Sequence, residues 1–172
     1  MSEYKLSENN WTRVAVFAGG DRGHYRTDFD CFVGVDRGSL WVLEEDLPLA
    51  LAVGDFDSVT EEERQVIQKR AQHFVQARPE KDDTDLELAL LTIFEQNPQA
   101  QVTIFGALGG RIDHMLANVF LPSNPKLAPY MRQIAIEDGQ NLIAYCPEGT
   151  SQLDPRSDYD YPVSYTHLRA HE

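Results

Sequence analysis

Three short stretches, residues 14–17 (VAVF), 31–35 (CFVGV) and 49–53 (LALAV), carry no polar side chain, and each is followed within two residues by glycine or aspartate. A strand with one wet face alternates polar and apolar residues. Runs without that alternation suit strands buried on both faces of a parallel sheet. Between and after them the pattern turns helical. Residues 39–47 read as a short helix stopped by Pro48, and 112–121 as one stopped by Pro122. Residues 60–71 and 84–96 each open on a capping box, Thr60 with Glu63 and Thr84 with Glu87. Residues 73–76, 101–105, 133–137 and 142–145 read as further strands, the last two joined by a tight turn at 138–141. Strand–helix alternation to about residue 137 predicts an α/β fold, a doubly wound, mainly parallel sheet. Ligands of such sheets bind beyond the carboxyl ends of the strands. Here those ends hold Asp36, Asp55, Asp57 and the glycines from Gly106 to Gly110.

The chain has 172 residues, is 42% hydrophobic and has a formal net charge of −13. That is enough apolar material for a real core, and the acidity argues against nucleic acid or an anionic membrane as the main partner. It does not exclude small anionic ligands, because a bound cation inverts the local field. No apolar run approaches the roughly 20 residues of a membrane span. The opening MSEYKLSENN has no signal-like apolar segment, which leads to the expectation of a cytoplasmic protein. Cys31 and Cys146 make neither a metal spacing nor a disulfide framework.

Gly54-Asp55-Phe56-Asp57-Ser58 places two aspartates two positions apart at a strand end. In a strand such residues share a face, and two close carboxylates need a cation or a proton between them. An all-oxygen site suits Mg²⁺, although Asp and Ser are also ordinary turn residues. Lys81-Asp82-Asp83-Thr84-Asp85 puts more carboxylates and a lysine at a helix start. Thr84 is a good cap, but three acids exceed what capping needs. Asp85 is placed to complete a site with Asp55 and Asp57, with Lys81 as a counter-charge for phosphate. The connection from Gly106 to His114 is glycine-rich and feeds a helix, a setting in which backbone N–H groups hold phosphates. Arg111, His114 and Asn118 lie three and four residues apart on one face of that helix, and Ile112, Met115, Val119 and Phe120 on the other. Asp36, in Asp36-Arg37-Gly38, either faces the same crevice or caps the next helix.

Taken together, VDRG, GDFDS, KDDTDLELAL and GALGGRIDHMLAN, in that order, resemble the bacterial thiamine pyrophosphokinase family over about residues 14–145. The resemblance implies pyrophosphoryl transfer from ATP to thiamine, Mg²⁺ dependence and a homodimer. It also implies an α/β nucleotide-binding domain followed by a β-sandwich domain. It assigns Asp55, Asp57 and Asp85 to the metal and adds Asp36 as a fourth catalytic carboxylate. Lys81, Thr84, Gly109, Arg111, Asp113, His114 and Asn118 are assigned to ATP. The expected domains are 1–132, ATP-binding and catalytic, and 133–162, the first strands of an incomplete β-rich thiamine-binding domain. Residues 163–172 (VSYTHLRAHE) look like a translated sequencing adapter, so the natural sequence is expected to stop near Pro162. Two other readings compete. One is a haloacid-dehalogenase-like phosphatase with Asp55 as nucleophile, although that family carries its DxD on the first strand. The other is a fragment that binds Mg²⁺-ATP without turnover.

Overall fold

The computed structural model describes residues 10–77, 83–152, 159 and 163. Its frame is a seven-stranded sheet of β1 (Arg13–Phe17), β2 (Cys31–Val35), β3 (Leu49–Gly54), β4 (His73–Gln76), β5 (Gln101–Phe105), β6 (Ile134–Glu137) and β7 (Leu142–Ala144). The order is β4-β3-β2-β1-β5-β6-β7. Every neighbouring pair is parallel except β6 with β7. The helices are α1 (Gly38–Glu44), α2 (Glu61–Arg70), α3 (Asp85–Gln96) and α4 (Ile112–Val119). Two short 3₁₀ turns, Leu121–Ser123 and Ala128–Gln133, lead into β6.

The unbroken apolar runs are explained by burial on both faces. Val14, Val16, Val33, Leu51, Val102 and Ile104 meet Leu86, Leu90 and Ile93 of α3 in one core. Ala15, Phe17, Phe32, Ala52 and Phe105 point the other way and meet Val42 of α1 and Ile67 of α2. Both capping boxes form as their spacing predicts. The helix expected over 39–47 ends earlier, at Glu44, because Asp46 turns the backbone left-handed (φ 55°) before Pro48 is reached.

The expected boundary at residue 133 needs correction. β6 pairs in parallel with β5, Val102 opposite Ile134 and Ile104 opposite Ile136, so this strand belongs to the α/β sheet. Burial is the reason. Ile134 and Ile136 are enclosed in the α3 core, and Glu137 is only 4% exposed because Arg26 grips both its carboxylate oxygens at 2.9 and 3.0 Å. β7 then adds the one antiparallel step.

Helix α4 stands apart. None of its residues is buried, and Ile112, Leu116 and Phe120, one turn apart along one side, are 69%, 45% and 44% exposed. Of the apolar face expected for this helix, Met115 and Val119 are half-buried and Ile112 and Phe120 exposed. No described helix is long and apolar enough to cross a membrane.

Candidate functional site

The parallel strands deliver β2, β3 and β5 to one edge of the sheet, and the chain departs from each through an Asp- or Gly-bearing turn. After β2, Asp36 adopts a left-handed backbone (φ 48°), and its N–H donates to the Val53 carbonyl at 2.9 Å. Its carboxylate Oδ1 accepts the Phe56 N–H at 3.2 Å. A side chain on Gly54 would overlap that carboxylate, so the glycine in GDFDS makes the space Asp36 occupies. Asp36 is not the helix cap. Arg37 stands at that position without a side-chain bond, and its guanidinium instead donates to the Ser58 carbonyl.

Asp36, Asp55 and Asp85 each offer a carboxylate oxygen within 4.8 Å of the others. Asp85 reaches them from the first turn of α3, behind the Thr84 cap. Burial, and then the charge of Asp85, push the Asp36 carboxyl up to about 7. Close carboxylates of this kind hold a proton or a cation between them.

Asp57 is not in this group, contrary to the expected set of Asp55, Asp57 and Asp85. The rule that residues two apart share a face holds only while the chain stays extended. The strand stops at Gly54, and Phe56 takes a left-handed backbone (φ 60°) with its ring buried and stacked on Phe74, centroids 4.7 Å apart. The Asp57 N–H donates back to Asp55 Oδ1 at 3.1 Å, and the Asp57 carboxylate stays outside the group, though its charge still reaches Asp36.

The remaining candidates divide. Lys81 lies outside the described residues. Thr84 uses its hydroxyl to accept the Glu87 N–H, the capping role its spacing predicts. Asp83 accepts from Lys126 Nζ at 2.7 Å and from Asn124, tying the start of α3 to the segment after α4. In the glycine-rich turn after β5, Gly109 is left-handed (φ 84°), and a side chain there would meet Asp21 Oδ2 at 2.9 Å. Arg111, 70% exposed, forks onto Asp113 with bonds of 3.1 and 2.6 Å and holds that carboxyl down to about 2. His114 is exposed. Asn118 turns inward and donates to the Ala107 carbonyl at 2.9 Å, bracing the turn from the side of the helix.

Sequence reasoning missed the pair Arg26–Glu137, 111 residues apart, which fastens the β1–β2 connection over the sheet. It also missed a groove of about 510 Å³ along α3, floored by Leu88, Leu91 and Phe94. None of the three clustered carboxylates lines that groove.

Residues 23–130 match the family model described as thiamin pyrophosphokinase, catalytic domain. A thiamine pyrophosphokinase of Bacillus subtilis (strain 168) is 35% identical over 154 residues, covering 86% of this chain and 71% of that protein. A crystal structure of a thiamin pyrophosphokinase family protein from Enterococcus faecalis superposes with a TM-score of 0.75 at 48% identity, over 80% of this chain and 67% of that one. The Bacillus subtilis enzyme structure gives 0.61 at 36% identity, over 76% and 62%. With its doubly wound sheet and its acidic strand ends, the chain belongs to the thiamine pyrophosphokinase family of enzymes.

Proposed function

We propose that this chain carries the ATP- and Mg²⁺-binding part of a pyrophosphoryl transfer from ATP to thiamine, giving thiamine diphosphate and AMP. The observation that carries the reading is the convergence of Asp36, Asp55 and Asp85 at the edge of the sheet where ligands of this fold class bind. Three carboxylate oxygens are hard donors suited to Mg²⁺, and the missing side chain at Gly54 leaves Asp36 free to join them. Asp36, Asp55 and Asp85 would hold Mg²⁺ there, and the ion would supply positive charge against the phosphates during transfer. Asp57, exposed and outside the cluster, is the carboxylate left to accept the proton of the attacking hydroxyl. That oxygen bonds to the β-phosphorus, and the bond from the β-phosphorus to the α–β bridging oxygen breaks, with AMP leaving on its electron pair. Arg111 presents a planar fork to phosphate, at present held by Asp113. Lys81, Gly109, His114 and the first turn of α4 complete the phosphate side, and Asn118 and Thr84 hold that side in place.

The relatives run longer than the stretch matched here. In this reading the thiamine-facing wall comes from the β-rich domain that the family resemblance implies, and the assembly is a homodimer. The exposed side of α4 gives such an assembly an apolar surface to cover. This reading places the enzyme in the cytoplasm, where ATP is supplied. The test is incubation of the chain with ATP, Mg²⁺ and thiamine. Mg²⁺-dependent ATP binding by this chain is expected, with AMP as the nucleotide product when thiamine and the β-rich domain are both present. ADP or free phosphate as product, or phosphate trapped on Asp55, would overturn the reading.

A further inference from the structure

Phe56 lies between the two aspartates of GDFDS and makes three separate contributions to the cluster. Its backbone N–H donates to Asp36 Oδ1 at 3.2 Å, which fixes one carboxylate. Its φ of 60° breaks the strand pattern, so that Asp55 enters the cluster and Asp57 leaves it. Its ring, 3% exposed and nearly parallel to Phe74 of β4, sits in the core beneath α1 and α2. A left-handed backbone is unfavourable for a residue with a side chain, and burial of the aromatic ring offsets that cost. The loop is therefore kept in a shape it would otherwise abandon, by contacts on the side facing away from the carboxylates.

We infer that Phe56, clamped on Phe74, is a positioning residue that sets the mutual geometry of Asp36 and Asp55. The inference rests on the metal-binding reading above. Without the clamp the backbone at residue 56 relaxes toward negative φ. The N–H then turns away from Asp36, and Asp55 swings out of the cluster. Loss of a contact that orients a metal-binding carboxylate typically weakens affinity about 10- to 100-fold.

The experiment titrates the full chain with Mn²⁺ alone, counting free ion by electron paramagnetic resonance, with a thermal melt of each variant alongside. Wild type should bind, and Asp55→Asn should lose most of that affinity. Phe56→Gly, which tolerates the backbone angle but lacks the ring, should bind about tenfold more weakly. Phe56→Leu, which keeps an apolar anchor, should recover much of the loss. Phe74→Leu serves if Phe56→Gly does not fold, and should also weaken binding. Val42→Ala removes volume from the same core without touching the loop, and should lower the melting temperature while leaving Mn²⁺ affinity intact. Wild-type binding that Asp55→Asn does not change overturns the metal reading and this inference with it. Wild-type binding that depends on Asp55 but is unaltered in both Phe56→Gly and Phe74→Leu overturns the positioning role alone.

Discussion

The carboxylate of Asp36 fills the space that a side chain on Gly54 would occupy, so the last residue of β3 and the first residue after β2 exclude one another sterically. Gly54→Ala should therefore expel Asp36 from the cluster. The strand itself tolerates alanine. The expected result is a folded protein with a far-ultraviolet spectrum like wild type and Mg²⁺-dependent ATP binding reduced at least about tenfold. Full binding in this variant would show that Asp36 is not needed in the cluster.

Asp36 also makes stability depend on pH. Its folded carboxyl is pushed up to about 7, first by burial and then by Asp85. An unfolded aspartate titrates near ~3.9. The folded state thus binds the proton more tightly. Its contribution is complete below about pH 4 and is lost as pH rises to about 7. Asn keeps the oxygen that accepts the Phe56 N–H but cannot ionise. With divalent ions chelated, Asp36→Asn should melt a few degrees above wild type at pH 8, with the gap closing toward pH 4. For a group still partly reached by solvent the gain is about 1–2 kcal/mol, or roughly 2–8 °C for a domain of this size. Equal melting curves at pH 8 would contradict the crowding of charge at this position.

Arg111 and Asp113 are both exposed, so their fork adds little to stability. Asp113→Asn should leave the melting temperature within about 1 °C of wild type. Arg111→Lys should preserve the fold but lower thiamine-dependent AMP release, measured with the β-rich domain present, about 10- to 100-fold, because an ammonium cannot reproduce the two-point contact. Wild-type rates in the lysine variant would remove Arg111 from the phosphate side of the site.

The two cysteines should react very differently with a thiol reagent. Cys31 is buried in β2, and burial pushes its thiol up to about 12. Cys146 is exposed. Native protein at pH 8 should release one equivalent of chromophore promptly from a disulfide reagent, and the second only on unfolding. Mass spectrometry of the labelled peptide should place the first label on Cys146. Prompt labelling of Cys31 would mean that β2 opens readily.

Much of the sheet could be read directly because its central strands β2 and β3 are short and buried throughout. Cys31–Val35 has the bounds its apolar run predicts, and Gln101–Phe105 the bounds read for it. Thr84 was legible as a cap because its partner Glu87 stands three residues on. The acid cluster was legible in part. The surplus carboxylates marked the correct edge, but the choice between Asp36 and Asp57 turned on one backbone angle at Phe56, and aromatic residues carry no local signal for left-handed conformation. The boundary near residue 133 failed for a different reason. An apolar strand can join the existing sheet or begin a new one, and only the pairing with β5 and the distant Arg26 decides between them. The solvent-facing side of α4 was invisible too, because amphipathic periodicity says that a face is apolar and not that anything covers it.

The antiparallel step at β7 also governs where the polypeptide goes next. Leu142 lies opposite Glu137 and Ala144 opposite Ala135, so the chain that climbs toward the carboxylate edge in β6 descends again in β7. Tyr145, the next residue, then places its hydroxyl 3.4 Å from the Asn118 carbonyl of α4. One reversed strand thus separates the end of β7 from the carboxylate edge of the sheet.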